Sequence, residues 1–258
     1  MKPHLSIVLA LLAGPALAAG PFDGTWKAQL DTMKFTGKPD VYEIQGGMYK
    51  CASCTPPYTV KADGSDQAVS GHSYYDSVAV KVVDAHTVRF DNKLKGKLMS
   101  SDTASVSADG GTLTDVFKDY SGAKEVTGTQ TSKRVAAGPA GAHALSGSWQ
   151  VQAIPDLTDN GMTVVYKMTG DGLQMSMNGQ SYDARFDGKK YPVANDPGKT
   201  LVALKRVSDT VIEETDTRDG KVTDITRLSV SADGKTLTVV DNDQLRGTTM
   251  EFKMLRQP

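Results

Sequence analysis

Most of this chain states one domain twice, and that duplication bounds every architecture open to it. Ser105–Gly110 and Ser229–Gly234 both read Ser-Val-Ser-Ala-Asp-Gly, 124 residues apart. The same offset carries Gly111–Thr114 onto Lys235–Thr238 and Ser77–Lys81 onto Leu201–Lys205, while an offset of 123 carries Gly24-Thr25-Trp26 onto Gly147-Ser148-Trp149. A repeat this long is a whole domain copied, because solenoid units recur at roughly 20–50 residues. Two domains also fit a length of 258 residues at about 150 residues per domain.

The first residues read as an export leader. Lys2 supplies a positive start, Leu5–Gly14 an apolar run, and Ala16-Leu17-Ala18 a small-x-small cleavage signal. The run is shorter than the roughly 20 apolar residues that span a bilayer. Residues 1–18 are therefore expected to be a signal peptide, and the protein to be periplasmic or extracellular without membrane insertion. The remaining chain has 28 basic against 30 acidic side chains and no basic cluster. That balance lacks the field that draws a protein to nucleic acid or to anionic lipid, and it points to no protein partner.

Short alternating segments punctuated by turn dipeptides run through both halves. Tyr58, Val60 and Ala62 alternate with polar residues up to Asp63-Gly64, as Tyr182, Ala184 and Phe186 do up to Asp187-Gly188. Asp109-Gly110, Asp219-Gly220 and Asp233-Gly234 predict tight hairpins, because Asp-Gly tolerates the positive φ of such turns. A helical period of useful length is missing. The chain is expected to be all-β: two tandem antiparallel meander β-barrels of about 110 residues each, over 22–135 and 146–258, with 136–145 as an Ala/Gly/Pro linker. Two β-sandwiches are the alternative.

Trp26 opens the first repeat and Arg134 closes it; Trp149 opens the second and Arg256 closes it. Gly-x-Trp on a first strand with Arg on the last resembles the signature of the lipocalin and fatty-acid-binding (calycin) group. The resemblance implies that each repeat's Arg lies across its own Trp and plugs one end of a barrel. An Arg can stack on an aromatic face while donating to backbone carbonyls. Phe22–Lys27 and Val230–Thr238 also resemble segments of uncharacterised exported bacterial proteins, which implies no activity.

Few residues carry chemistry. Cys51-Ala-Ser-Cys54 sits between strand-like segments with no helix to activate a thiol, no His after the second Cys, and no second ligand pair for zinc. It is expected to be a disulfide closing a hairpin, with redox and metal roles as alternatives. His72, Tyr74, Tyr75 and Asp76 form a loop that either lines a ligand entrance or is packed down by its own tyrosines. Glu213-Glu214 suggest a glycosidase pair, but adjacent strand residues point to opposite faces, and the pattern leaves open which one faces inward. A nucleophile elbow, a phosphate-binding glycine loop and the spacing of a calcium loop around Asp241–Asp243 are all missing. No catalytic residue, metal ligand or cofactor is expected.

The last strands differ between the repeats. The face with Arg256 carries Met250, Phe252 and Met254, whereas the face with Arg134 carries Val126, Gly128, Gln130 and Ser132. A barrel admits a ligand only where its own side chains leave room, so the first repeat is expected to be the roomier one. The function expected is that of an exported, non-enzymatic lipocalin-like protein with a small amphiphilic ligand in its first barrel. Tyr58, Val60, Tyr74, Val78, Val80 and Gln130 are its candidate lining. The alternative is a cell-envelope structural or interaction module with no internal ligand.

Overall fold

The alternating segments form strands throughout the computed structural model, which describes residues 20–258; the signal peptide expected at 1–18 lies outside the described residues. The described residues are 64% strand and 2% helix, which makes the fold all-β. The first repeat contributes β1 (Gly24–Gly37), β2 (Asp40–Gln45), β3 (Met48–Cys51), β4 (Tyr58–Lys61), β5 (Asp63–Ala68), β6 (Ser77–Val82), β7 (Thr87–Leu94), β8 (Lys97–Val106), β9 (Thr112–Asp119) and β10 (Val126–Ala137). The second contributes β11 (Gly147–Leu157), the single-turn α1 (Asp159–Met162), β12 (Thr163–Thr169), β13 (Gly172–Met177), β14 (Gln180–Arg185), β15 (Tyr191–Pro192), β16 (Leu201–Ser208), β17 (Val211–Arg218), β18 (Lys221–Val230), β19 (Thr236–Asp243) and β20 (Thr248–Arg256). Among the described residues no helix is long and apolar enough to cross a membrane.

These strands make two ten-stranded antiparallel sheets, each nearly closed into a barrel. The first runs β4-β3-β2-β11-β10-β9-β8-β7-β6-β5 and the second β14-β13-β12-β1-β20-β19-β18-β17-β16-β15. The expected hairpins form; at β17–β18, Asp219 and Gly220 take φ of 49° and 78°, the two positive values of a type I′ turn.

The first strands are exchanged. β1 lies between β20 and β12 of the second barrel, and β11 lies between β10 and β2 of the first. Only Lys38 and Pro39 separate β1 from β2. Proline fixes φ near −65° and holds the preceding residue extended, whereas a two-residue hairpin needs positive φ. The chain therefore runs straight from one barrel into the other. Residues 22–135 alone do not make the first barrel: it lacks β1 and contains β11.

The exchange corrects the pairing of the barrel plugs. Trp26 stands opposite Arg256 and Trp149 opposite Arg134, so each Arg meets the other repeat's Trp. The Arg134 guanidinium lies 4.0 Å from the Trp149 ring centre, and that of Arg256 lies 4.3 Å from Trp26. Arg134 donates to the carbonyls of Gly110, Ser146 and Ala144 at 2.6, 2.7 and 2.6 Å. Arg256 donates likewise to Gly234, Asp23 and Pro21. Both indoles are fully buried and donate to backbone carbonyls, Trp26 to Phe22 and Trp149 to Leu145. The segment expected as a linker is thus partly structural, since Leu145 is buried in the first core and its neighbours receive Arg134. The second core includes Phe22, Trp26 and Ala28 from the first repeat.

Candidate functional site

The closed ends hold the Trp–Arg plugs; the other ends of the barrels face each other. Within the first barrel a cavity of ≈ 200 Å³ remains above Trp149. Register explains its wall. Phe90 on β7 stands opposite Asp102 on β8, Ala104 opposite Asp115 on β9, and Asp115 opposite Gln130 on β10. Alternate residues share a face, so Asp102 and Ala104 point the same way and the row turns inward as a unit. Tyr42, Tyr49 and Tyr58 come from β2, β3 and β4 across the barrel. The rings of Tyr42 and Tyr49 lie 6.2 Å apart, Tyr49 and Tyr58 6.1 Å, and Tyr49 meets Phe90 edge-on at 5.2 Å.

Burial raises the Asp102 carboxyl to about 7, with the charge of Asp115 adding to it. Burial, with the charge of Asp40, raises Asp115 to about 6. Asp115 Oδ1 is buried with no hydrogen-bond partner. Tyr42 and Tyr49 are pushed well above the ordinary phenol value by burial, so they remain protonated donors.

Two further hollows of ≈ 320 and ≈ 390 Å³ lie between the barrels, and all three meet at Asp40 and Tyr42. The β19–β20 loop of the second barrel reaches in here, where Arg246 pairs with the buried Asp40. From the first barrel, Tyr74 reaches the other way: its ring lies under the Arg218 guanidinium at 5.2 Å and against Gly198. His72 stacks on Tyr75 at 4.5 Å and meets Tyr58 edge-on at 5.4 Å. Burial lowers its pKa, so it is neutral at neutral pH. The loop thus lines the cleft and is also packed by its own aromatics.

The candidate lining is divided by the structure. Tyr58 and Gln130 line the cavity. Val60, Val78 and Val80 are buried in the core cluster of the same barrel. Tyr74 lines the cleft between barrels. Cys51 and Cys54 form a disulfide that ties the end of β3 to the loop before β4, with Cys54 at the cavity rim. Of the Glu213-Glu214 pair, Glu214 faces inward and accepts from the Tyr182 hydroxyl at 2.7 Å, while Glu213 sits opposite Lys205 and Arg227.

Sequence reasoning missed Tyr42, Tyr49, Phe90, Asp102 and Asp115. The signal was present for two of them: Asp102 alternates with buried Ala104 and Val106, and Asp115 with buried Leu113. In the second repeat Thr226 and Val239 stand at those positions, so the carboxylates belong to one copy only. Among the described residues no group of three or more His, Cys, Asp or Glu is arranged to hold a metal ion. No protein-family model, curated protein or solved structure matches the chain, which leaves the chemistry of this cavity as the guide to function.

Proposed function

We propose that the chain is an exported, non-enzymatic protein, lipocalin-like in build, that holds a small amphiphilic molecule in its first barrel. The observation that carries this reading is the ≈ 200 Å³ cavity above the Trp149–Arg134 plug. Its aromatic rings offer apolar surface, while Gln130, Asp102 and Asp115 converge as the few polar groups. Ligand sites commonly combine those two features. The second barrel acts as a brace, presenting Arg246 to the entrance. Export is supported by the leader pattern at 1–18 and by the disulfide. The large exposed hydrophobics, among them Val116, Val165, Leu201 and Val207, are spread over strands of both barrels, which weighs against a dedicated apolar docking face.

The test is mass spectrometry of protein purified from its own envelope, run native and then denatured. A native mass exceeding the denatured one by one small molecule supports the reading, and fragmentation names its class. Equal masses move the structural or interaction module ahead.

A further inference from the structure

We propose that the molecule held in the first barrel is an organic cation, an ammonium on a small aromatic or apolar body, received by Asp102 and Asp115. The inference rests on the ligand-binding reading and names its ligand class. The cavity wall contains three carboxylates and six aromatic rings, and no Lys, Arg or His. Asp40 is engaged by Arg246 at the entrance, which leaves Asp102 and Asp115 inside without a cationic partner.

A buried carboxylate without a counter-charge is costly, and Asp115 Oδ1 is buried with no hydrogen-bond partner at all. Tyr49 is 3% exposed and Ser132 is 3% exposed. Both line the cavity and present hydroxyls to it. Asp115 Oδ1 is thus an unfilled polar position in a cavity walled by π-faces. Ammonium groups are attracted to such faces within about 6 Å of the ring centre and form charge-assisted hydrogen bonds with carboxylates. An anion would meet like charge, which costs affinity.

The second barrel supplies an internal comparison. Of its inner carboxylates, Asp224 is bonded by Arg218 at 3.2 Å, and the charge of Arg218 opposes the burial that raises Asp216, whose Oδ1 also lacks a hydrogen-bond partner. The position equivalent to Arg218 in the first repeat, 124 residues earlier, is Leu94. At the positions of Asp216 and Asp224 the first repeat has Asn92 and Ser100; its own acids, Asp102 and Asp115, stand elsewhere and share the cavity with no basic residue.

The experiment is calorimetric titration of the full chain, freed of any carried ligand, with three probes of one shape: tryptamine, neutral 3-ethylindole and anionic indole-3-propionate. Tryptamine should bind at least about tenfold more tightly than 3-ethylindole, the margin a charged hydrogen bond supplies, and the acid should not bind. Asp102→Asn and Asp115→Asn should each erase the preference for the amine over 3-ethylindole. Burial already favours the uncharged side chain at both positions, so these variants should melt no lower than the parent, and their melting temperatures check this. If 3-ethylindole or the acid binds as well as the amine, the cation proposal is overturned while the amphiphile reading stands. If no probe binds, the proposal is overturned too, and the native mass decides separately whether the amphiphile reading falls with it.

Discussion

The two barrels share a strand order and differ in what lines them. Where the first places Asp115, Gln130 and Ser132 on its inner wall, the second places Val239, Phe252 and Met254 at the same register positions. Phe252 and Met254 pack into the second core together with Met168, Met175, Met177 and Phe186. The first barrel has small or polar groups there, and a cavity remains. The second also carries an inner Glu214 where the first has Phe90, but Tyr182 satisfies that carboxyl directly. The backbone therefore permits either a filled or a hollow barrel; the side chains of two adjoining strands decide which.

The strand exchange gives the largest effect by which to probe that pairing of barrels. A protease site inserted between Ala140 and Gly141, both exposed, would cut the chain between the repeats. Because β1 and β11 each sit inside the other barrel, the two pieces should still elute as one particle in gel filtration and part only in denaturant. Separation under native conditions would mean that each repeat closes on itself.

Next in size are the plugs. Trp26→Ala and Trp149→Ala each remove a fully buried indole and should cost about 3–5 kcal/mol in urea unfolding. Similar losses would show equivalent plugs, whereas a much smaller loss at Trp149 would show that the hollow barrel collapses around it.

Acidity separates the barrels more gently. Burial raises Glu214 to about 8 and Asp216 to about 7, and it raises Asp102 to about 7 and Asp115 to about 6. Each folded value lies above the unfolded carboxylate value, so the folded state binds more protons. The stability this contributes is complete below about pH 4 and is lost as pH rises through about 6 to 8. Melting temperature should fall between about pH 5 and pH 8.5, and Glu214→Gln should flatten the upper part of that slope. A melting temperature that climbs over this window would contradict the burial of these groups.

The smallest effect concerns the contact between barrels. Arg246→Ala removes the partner of the buried Asp40 and, by leaving that carboxylate without its cation, should cost about 1–3 kcal/mol. The readout is the urea midpoint, with amide exchange at Tyr42 reporting whether the entrance loosens.

Much of this architecture was legible in the sequence. The duplication, the alternating segments and the Asp-Gly turns point to two barrels, and Gly-x-Trp with a terminal Arg points to their plugs. The exchange was not legible from those patterns, because alternation reports which face a residue takes and says nothing of which neighbour its strand pairs with. The clue lay in Lys38-Pro39, whose backbone restrictions forbid the hairpin that a simple meander requires. The site was legible in part. Tyr58 and Gln130 stand on strands whose inward face was evident, but Val78 and Val80 share that inward face deeper in the barrel, where core packing takes them. Asp102 and Asp115 were passed over because acids on a strand are ordinarily solvent-facing, and only the register across β7 to β10 reveals that they converge.

The most direct test of the hollow-barrel account transplants the second barrel's wall into the first. Gln130→Phe with Ser132→Met copies Phe252 and Met254 into the equivalent positions and should fill the cavity without unfolding the protein. Native mass spectrometry of parent and variant, both purified from the native host, should show one small molecule bound to the parent and none to the variant. The same adduct on both, or on neither, would contradict a ligand site inside the first barrel.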